Sequence, residues 1–215
     1  MKQNLRATAL AIVLGGTALW AAPAAVQAAT QPSTIAQFSA EQPTHTLNVR
    51  YKSWRDPAFG DMGWTHFSDW GSFQGTAGQT ATLTLVSNNP DLHPGVTVWA
   101  RCKADTAPDT YVTDHFYAQN AQQFELGAVD ESTGQTVGNI VMQIKNYGYD
   151  LDGVAKASKV VGLHGVKDGV PGRLVRTFTL GRTCNYMFVV GGFAPGAGAS
   201  DSTARYPVDV TLSLQ

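Results

Sequence analysis

The chain has 215 residues, 43% of them hydrophobic and 14% charged, with 15 Lys and Arg against 16 Asp and Glu. That length suits one domain with a substantial core and is short for two. With no basic excess to neutralise a phosphate backbone, nucleic acid is excluded as an expected partner.

In chain order, the first signal is a basic start at Lys2 and Arg6, followed by an alanine-rich apolar run from Ala7 to Val26 and small residues at Val26-Gln27-Ala28. This pattern predicts a secretory signal peptide over residues 1–28. Gly15-Gly16 and Pro23 interrupt the run and argue against an uncleaved membrane anchor. No later stretch is apolar for long enough to span a bilayer, so no transmembrane segment is expected after signal removal. Residues 29–44 are polar and read as a flexible leader, and 45–215 as a single domain.

Alternation then begins. Leu47, Val49 and Tyr51 point one way and Asn48, Arg50 and Lys52 the other, the period of a half-buried strand. The pattern recurs at Ala81-Leu83-Leu85, Val96-Val98, Ile140-Met142-Ile144, Leu174-Arg176-Phe178-Leu180 and Val208-Val210-Leu212-Leu214, while Tyr186 to Val190 is continuously apolar, as in a strand covered on both faces. Turn signals separate them at Asn88-Asn89-Pro90, Asp152-Gly153 and Asp168-Gly169-Val170-Pro171-Gly172. Seven or so short strands so punctuated predict an all-β fold, an antiparallel β-sandwich with long loops and little helix. Ala118 to Leu126 carries the one helical hint, and Gly192 to Ser202 reads as a long surface loop.

Cys102 and Cys184 are the two cysteines. After export they enter an oxidising compartment, where a disulfide is the expected state. A thiolate metal site is the alternative, but neither cysteine has a CxxC partner or an adjacent His.

Past His45 the histidines are His66, His93, His115 and His164. In Met62-Gly63-Trp64-Thr65-His66 the indole and imidazole would share one face of an extended strand and look into one site. A structural, hydrogen-bonded His beside aromatics fits the same residues. Imidazole suits copper, zinc and nickel, and copper is its natural metal where thiolate clusters are absent. His93 sits in a His-Pro turn, His115 follows Asp114, a carboxylate able to orient it, and His164 lies among glycines. Met62 offers a soft thioether, although a lone Met is more often core filler. Asp150-Leu151-Asp152-Gly153 resembles the start of a calcium loop but lacks its further oxygen ligands and closing Glu, which leaves an ordinary turn as the simpler reading and calcium as the alternative. No G-x-S-x-G, H-E-x-x-H or Walker motif is present, so the reading is of a binding protein and not an enzyme.

At Gly63-Trp64-Thr65-His66, Leu92-His93-Pro94-Gly95-Val96-Thr97-Val98-Trp99, Gly138-Asn139-Ile140-Val141-Met142, Gly169-Val170-Pro171-Gly172 and Met187-Phe188-Val189-Val190-Gly191-Gly192-Phe193 the chain resembles the methanotroph surface copper(I)-binding family of CorA and the C-terminal part of MopE. The resemblance spans roughly Trp54 to Pro195. It implies a mononuclear copper(I) site of two histidines and a tryptophan oxidised to kynurenine. Opening the indole would create an aryl amine donor, which intact Trp lacks. The Trp-x-His element maps onto Trp64 and His66. The second histidine is expected to be His115, with His93 as second choice because the following proline restricts its aim. The resemblance further implies secretion or outer-surface attachment, a role in copper acquisition, and cooperation with a di-haem cytochrome c peroxidase. The rival reading is a structural or adhesive module, pilus-like or carbohydrate-binding, in which Trp54, Trp64, Trp70 and Trp99 pack or stack on ligand.

Overall fold

Two stacked sheets account for nearly all regular structure. The computed structural model describes residues 35–50, 68–89, 91–115, 123–130, 132–153, 165–193 and 204–215. The larger sheet has the order β1 (Ala36–Phe38), β3 (Asp69–Gly75), β10 (Cys184–Phe193), β5 (His93–Arg101), β7 (Thr136–Asp150) and β6 (Gln123–Val129), with β8 (Gly165–Val166) also paired to β7. The smaller sheet runs β2 (Thr44–Val49), β11 (Tyr206–Leu214), β4 (Thr80–Ser87) and β9 (Arg173–Thr179). The expected all-β sandwich is present. Because β1 runs parallel to β3 and β8 parallel to β7, its larger sheet is mixed.

Between the sheets the alternating residues interlock: Leu83 and Leu85 of β4 and Val208 and Val210 of β11 meet Val96 and Val98 of β5 and Tyr186 and Phe188 of β10 in one buried cluster. Each large side chain so buried contributes about 1.5–3 kcal/mol relative to exposure. Gly71 is where β3 passes the ring of Phe188, and a methyl there would also come within 2.7 Å of Phe38. The edge strand β9 carries an inward-pointing charge among its apolar residues, Arg176, whose Nε donates to Asn146 Oδ1 of β7 at 2.7 Å. Burial lowers the guanidinium pKa of Arg176, the cost of a device that discourages pairing with another chain.

The larger sheet is unusual in being covered on its other face as well. All nine residues of β5 are buried. Its outer-facing Trp99 joins Trp70, Met187, Val189, Ile140 and Val112 in a second cluster. Val112 belongs to the short helix α1 (Asp109–His115), which sequence periodicity does not reveal. Seven residues, about two turns, that include β-branched Val and Thr are too few to be helical alone, so tertiary contacts must hold them. The helix expected within Ala118 to Leu126 is corrected: Gln123 to Leu126 lies in β6, paired with Gln143 to Ile140 of β7, and 118–122 fall outside the described residues. Sheet pairing outweighs the weak local helical preference there.

Candidate metal centre

The outer face of the larger sheet is built around Arg101. Its guanidinium donates to the carboxylates of Asp105 and Asp109, to the carbonyl of Ala107 and, at 3.6 Å, to Met187 Sδ. Arg101 is 7% exposed. The two carboxylates offset the desolvation of its charge and fix the segment entering α1. The second oxygen of Asp105 accepts from Val141 N at 3.0 Å, tying that segment to β7. Under the helix, Trp70 and Trp99 stack with ring centroids 5.9 Å apart, both fully buried. Trp70 is the second residue of β3, the strand that follows Trp64 and His66, while His115 is the last residue of α1. The helix ending in His115 lies upon the Trp70–Trp99 face, and β3 begins three positions after His66 in sequence. Met62, Trp64, His66 and His164 lie outside the described residues, and of His115 the backbone is described.

His93 is not an exposed turn residue. It is 5% exposed, and its Nδ1 lies 2.8 Å from Asp150 Oδ2. The register that sets Gly95 opposite Tyr149 brings together these residues, which stand 57 apart in sequence. Asp150, fully buried, also accepts from Gly172 N at 2.6 Å and from Asp152 N at 2.8 Å. It thus joins β5, the turn after β7 and the turn before β9. Asp152 accepts from Asp168 N and Gly169 N at 2.7 and 2.8 Å. The Asp150–Gly153 segment is an ordinary turn whose carboxylates are engaged by amides. Among the described residues no group of three His, Cys, Asp or Glu side chains is arranged to hold a metal ion. A carboxylate–imidazole pair is found at Asp150 and His93. Sequence reasoning missed Asp150 in this role because the pairing depends on strand register.

Cys102 and Cys184 form a disulfide with Cα atoms 5.0 Å apart. The position follows from the ladder: Arg101 faces Asn185, so the next pair outward is Cys102 and Cys184. Asp69, at the start of β3, accepts from Asn48 N at 3.0 Å and Trp70 N at 2.9 Å. Burial raises its pKa above the ordinary 3.8, partly opposed by these hydrogen bonds.

Two stacked sheets, with a disulfide between neighbouring strands of the larger one and a helix over its outer face, define a β-rich sandwich. Residues 27–200 match the model of the copper(I)-binding protein CorA-like family, and the chain belongs to that family. In structure it is similar to the surface-associated copper-binding protein CorA of Methylomicrobium album BG8, important in that organism's copper acquisition. The match has a TM-score of 0.70 and 30% identity, over 86% of this chain and 99% of that one. It is also similar in fold to MopE, a secreted protein of Methylococcus capsulatus in which an oxidized tryptophan facilitates copper binding. Here the TM-score is 0.58 and the identity 18%, over 83% of this chain and 87% of that one. No curated protein matches the sequence. Family membership agrees with the reading of a binding protein rather than an enzyme. No helix among the described residues is long and apolar enough to cross a membrane.

Proposed function

We propose that this protein binds copper(I) at the outer face of its larger sheet and serves copper acquisition, with His66 and His115 as ligands and Trp64, intact or oxidised to kynurenine, as the third group. The observation that carries the reading is the 30% identity to the copper-binding CorA of M. album over 99% of that chain. Local geometry supports the choice of residues. His66 stands three positions before Asp69 of β3, a reach of at most about 11 Å. The helix that ends in His115 packs through Val112 in the cluster containing Trp70 and Trp99. His93 remains second choice, since its Nδ1 is already engaged by Asp150. Two imidazoles and a neutral nitrogen suit copper(I), whereas calcium calls for a cage of oxygens.

The proposal includes cleavage of the signal after Ala28, secretion or attachment at the outer surface, and cooperation with a di-haem cytochrome c peroxidase. Anaerobic copper(I) competition on the mature protein tests it, with His66→Ala and His115→Ala alongside and an intact-mass measurement for oxidised Trp64. One tight copper per chain, lost in both variants, is the expected result. Absence of tight binding, in protein from the native host as well, would favour the structural or adhesive reading.

A further inference from the structure

At the end of the sandwich where the disulfide joins β10 to the residue after β5, a cleft of about 270 Å³ lies between β7 and the turn that joins β9 to β10, lined by Ala100, Cys102, Lys103, Val141, Gln143 and Arg182. Its floor is apolar and its rim cationic. β7 contributes a further cation through a bulge. Val98 faces Asn146 whereas the next residue, Trp99, faces Ile144, so Lys145 is the extra residue. Gln143 and Asn146, paired with the core-facing Ala100 and Val98, both look toward the smaller sheet. Lys145 joins them, its Nζ donating to Gln143 Oε1 at 2.6 Å. Bulges re-aim side chains in this way, often beside functional sites. Among the described residues, the ion pairs to carboxylates involve His93, Arg101 and Arg173, and none involves Lys103, Lys145 or Arg182. Burial and then the neighbouring Arg182 charge lower the pKa of Lys145. The fold therefore holds two repelling cations together, in a chain with one more acid than base. A cleft with walls of one charge sign and a low-dielectric floor focuses field onto an anion.

We infer that this cleft is a binding site for a small organic oxyanion, carboxylate or phosphate, held by Arg182, Lys145 and Lys103 with its carbon skeleton against Ala100, Val141 and the disulfide. The guanidinium supplies paired donors and the ammonium groups supply point charges, the combination that suits carboxylate and phosphate oxygens. The site is separate from the Trp70–Trp99 face and does not depend on the copper assignment.

The test is calorimetry on copper-free mature protein with propane-1,2,3-tricarboxylate and, separately, inorganic phosphate, each with Arg182→Gln, Lys145→Gln and His66→Ala. Saturable 1:1 binding of the tricarboxylate is expected, weakened about tenfold in each cleft variant and unchanged in His66→Ala. It should fall as sodium chloride rises from about 20 to about 200 mM. Tighter binding of phosphate than of the tricarboxylate, lost in the same variants, would assign the phosphate source. Since neither Arg182 nor Lys145 is paired to a carboxylate, both variants should melt with the parent protein, and the Lys145 amine resonance should move toward its ordinary pKa on ligand addition. No saturable binding of either anion, or binding indifferent to Arg182→Gln and Lys145→Gln, overturns the proposal. Binding of acidic polymers alone would overturn it in favour of a macromolecular contact.

Discussion

Replacing Asp150 by Ala tests how the turns beside the start of β5 and the end of β7 are held. The substitution removes the acceptor from three donors at once: His93 Nδ1, Gly172 N and Asp152 N, at 2.8, 2.6 and 2.8 Å. Asp150 is fully buried and His93 is 5% exposed, so water cannot replace the carboxylate without opening the turns. A buried donor left unsatisfied costs about 1–3 kcal/mol, and with partial relaxation three of them place the loss at roughly 3–6 kcal/mol. That is a large fraction of the roughly 5–15 kcal/mol that holds a domain together. Asp150→Asn keeps one acceptor oxygen and should lose about half as much. Urea unfolding followed by tryptophan fluorescence measures this as a lower midpoint at unchanged slope. If Asp150→Ala unfolds within about 1 kcal/mol of the parent, and the Gly172 amide stays protected from exchange, the carboxylate does not tie these elements together. Copper bound per folded chain should be retained in Asp150→Ala and in His93→Gln. Its loss from folded His93→Gln would make His93 the second ligand in place of His115.

Further expectations concern other parts of the fold. Cys102→Ala with Cys184→Ala opens a sequence separation of 82 residues and should destabilise the chain, by on the order of 4 kcal/mol in the chain-entropy model, measured by thermal and denaturant melts. Gly71→Ala drives a methyl into Phe188 and Phe38 and should cost about 1–3 kcal/mol by overpacking, read from the same melts. For pH, Asp69 binds a proton more readily folded than unfolded because burial raises its pKa. Its contribution to stability is therefore full below the unfolded value of 3.8 and declines as pH rises through the higher folded value. Asp168 has the opposite sign: the Arg173 hydrogen bond lowers its pKa. The stability it supplies is present above 3.8 and lost as pH falls through the lower folded value. Carbon-13 carboxyl titrations of the two residues, which should move to opposite sides of 3.8, check both signs.

The parts of the fold legible in sequence are those where one strand face is wet. In β4, exposed or half-exposed threonines alternate with buried Ala81, Leu83 and Leu85, and β11 alternates in the same way, so period two is visible. β3 reads Asp-Trp-Gly-Ser-Phe-Gln-Gly and escapes that test, because Trp70 and Ser72 are buried under one cover while Gly71 and Phe73 are buried under another. Helix α1 is hidden by its brevity, and its support is tertiary: Val112 packs among Trp70 and Trp99, and Arg101 reaches Asp109 eight residues on. The disulfide is legible by count, since two cysteines have one way to pair within a chain. His93 and Asp150 are not legible as a pair, because a one-residue difference in the β5–β7 register would separate them.

Val98 and Trp99 are neighbours along one strand, yet one belongs to the sandwich interior and the other to the layer beneath α1. A slip of one residue in β5 would exchange the two populations, placing indole where Val packs and Val where indole stacks. The covalent link between Cys102 and Cys184 sits three steps beyond Trp99, just past the Arg101–Asn185 pair of the β5–β10 ladder. It acts there as an index pin, setting the phase of the strand and thereby deciding which side chains the helix-covered layer receives.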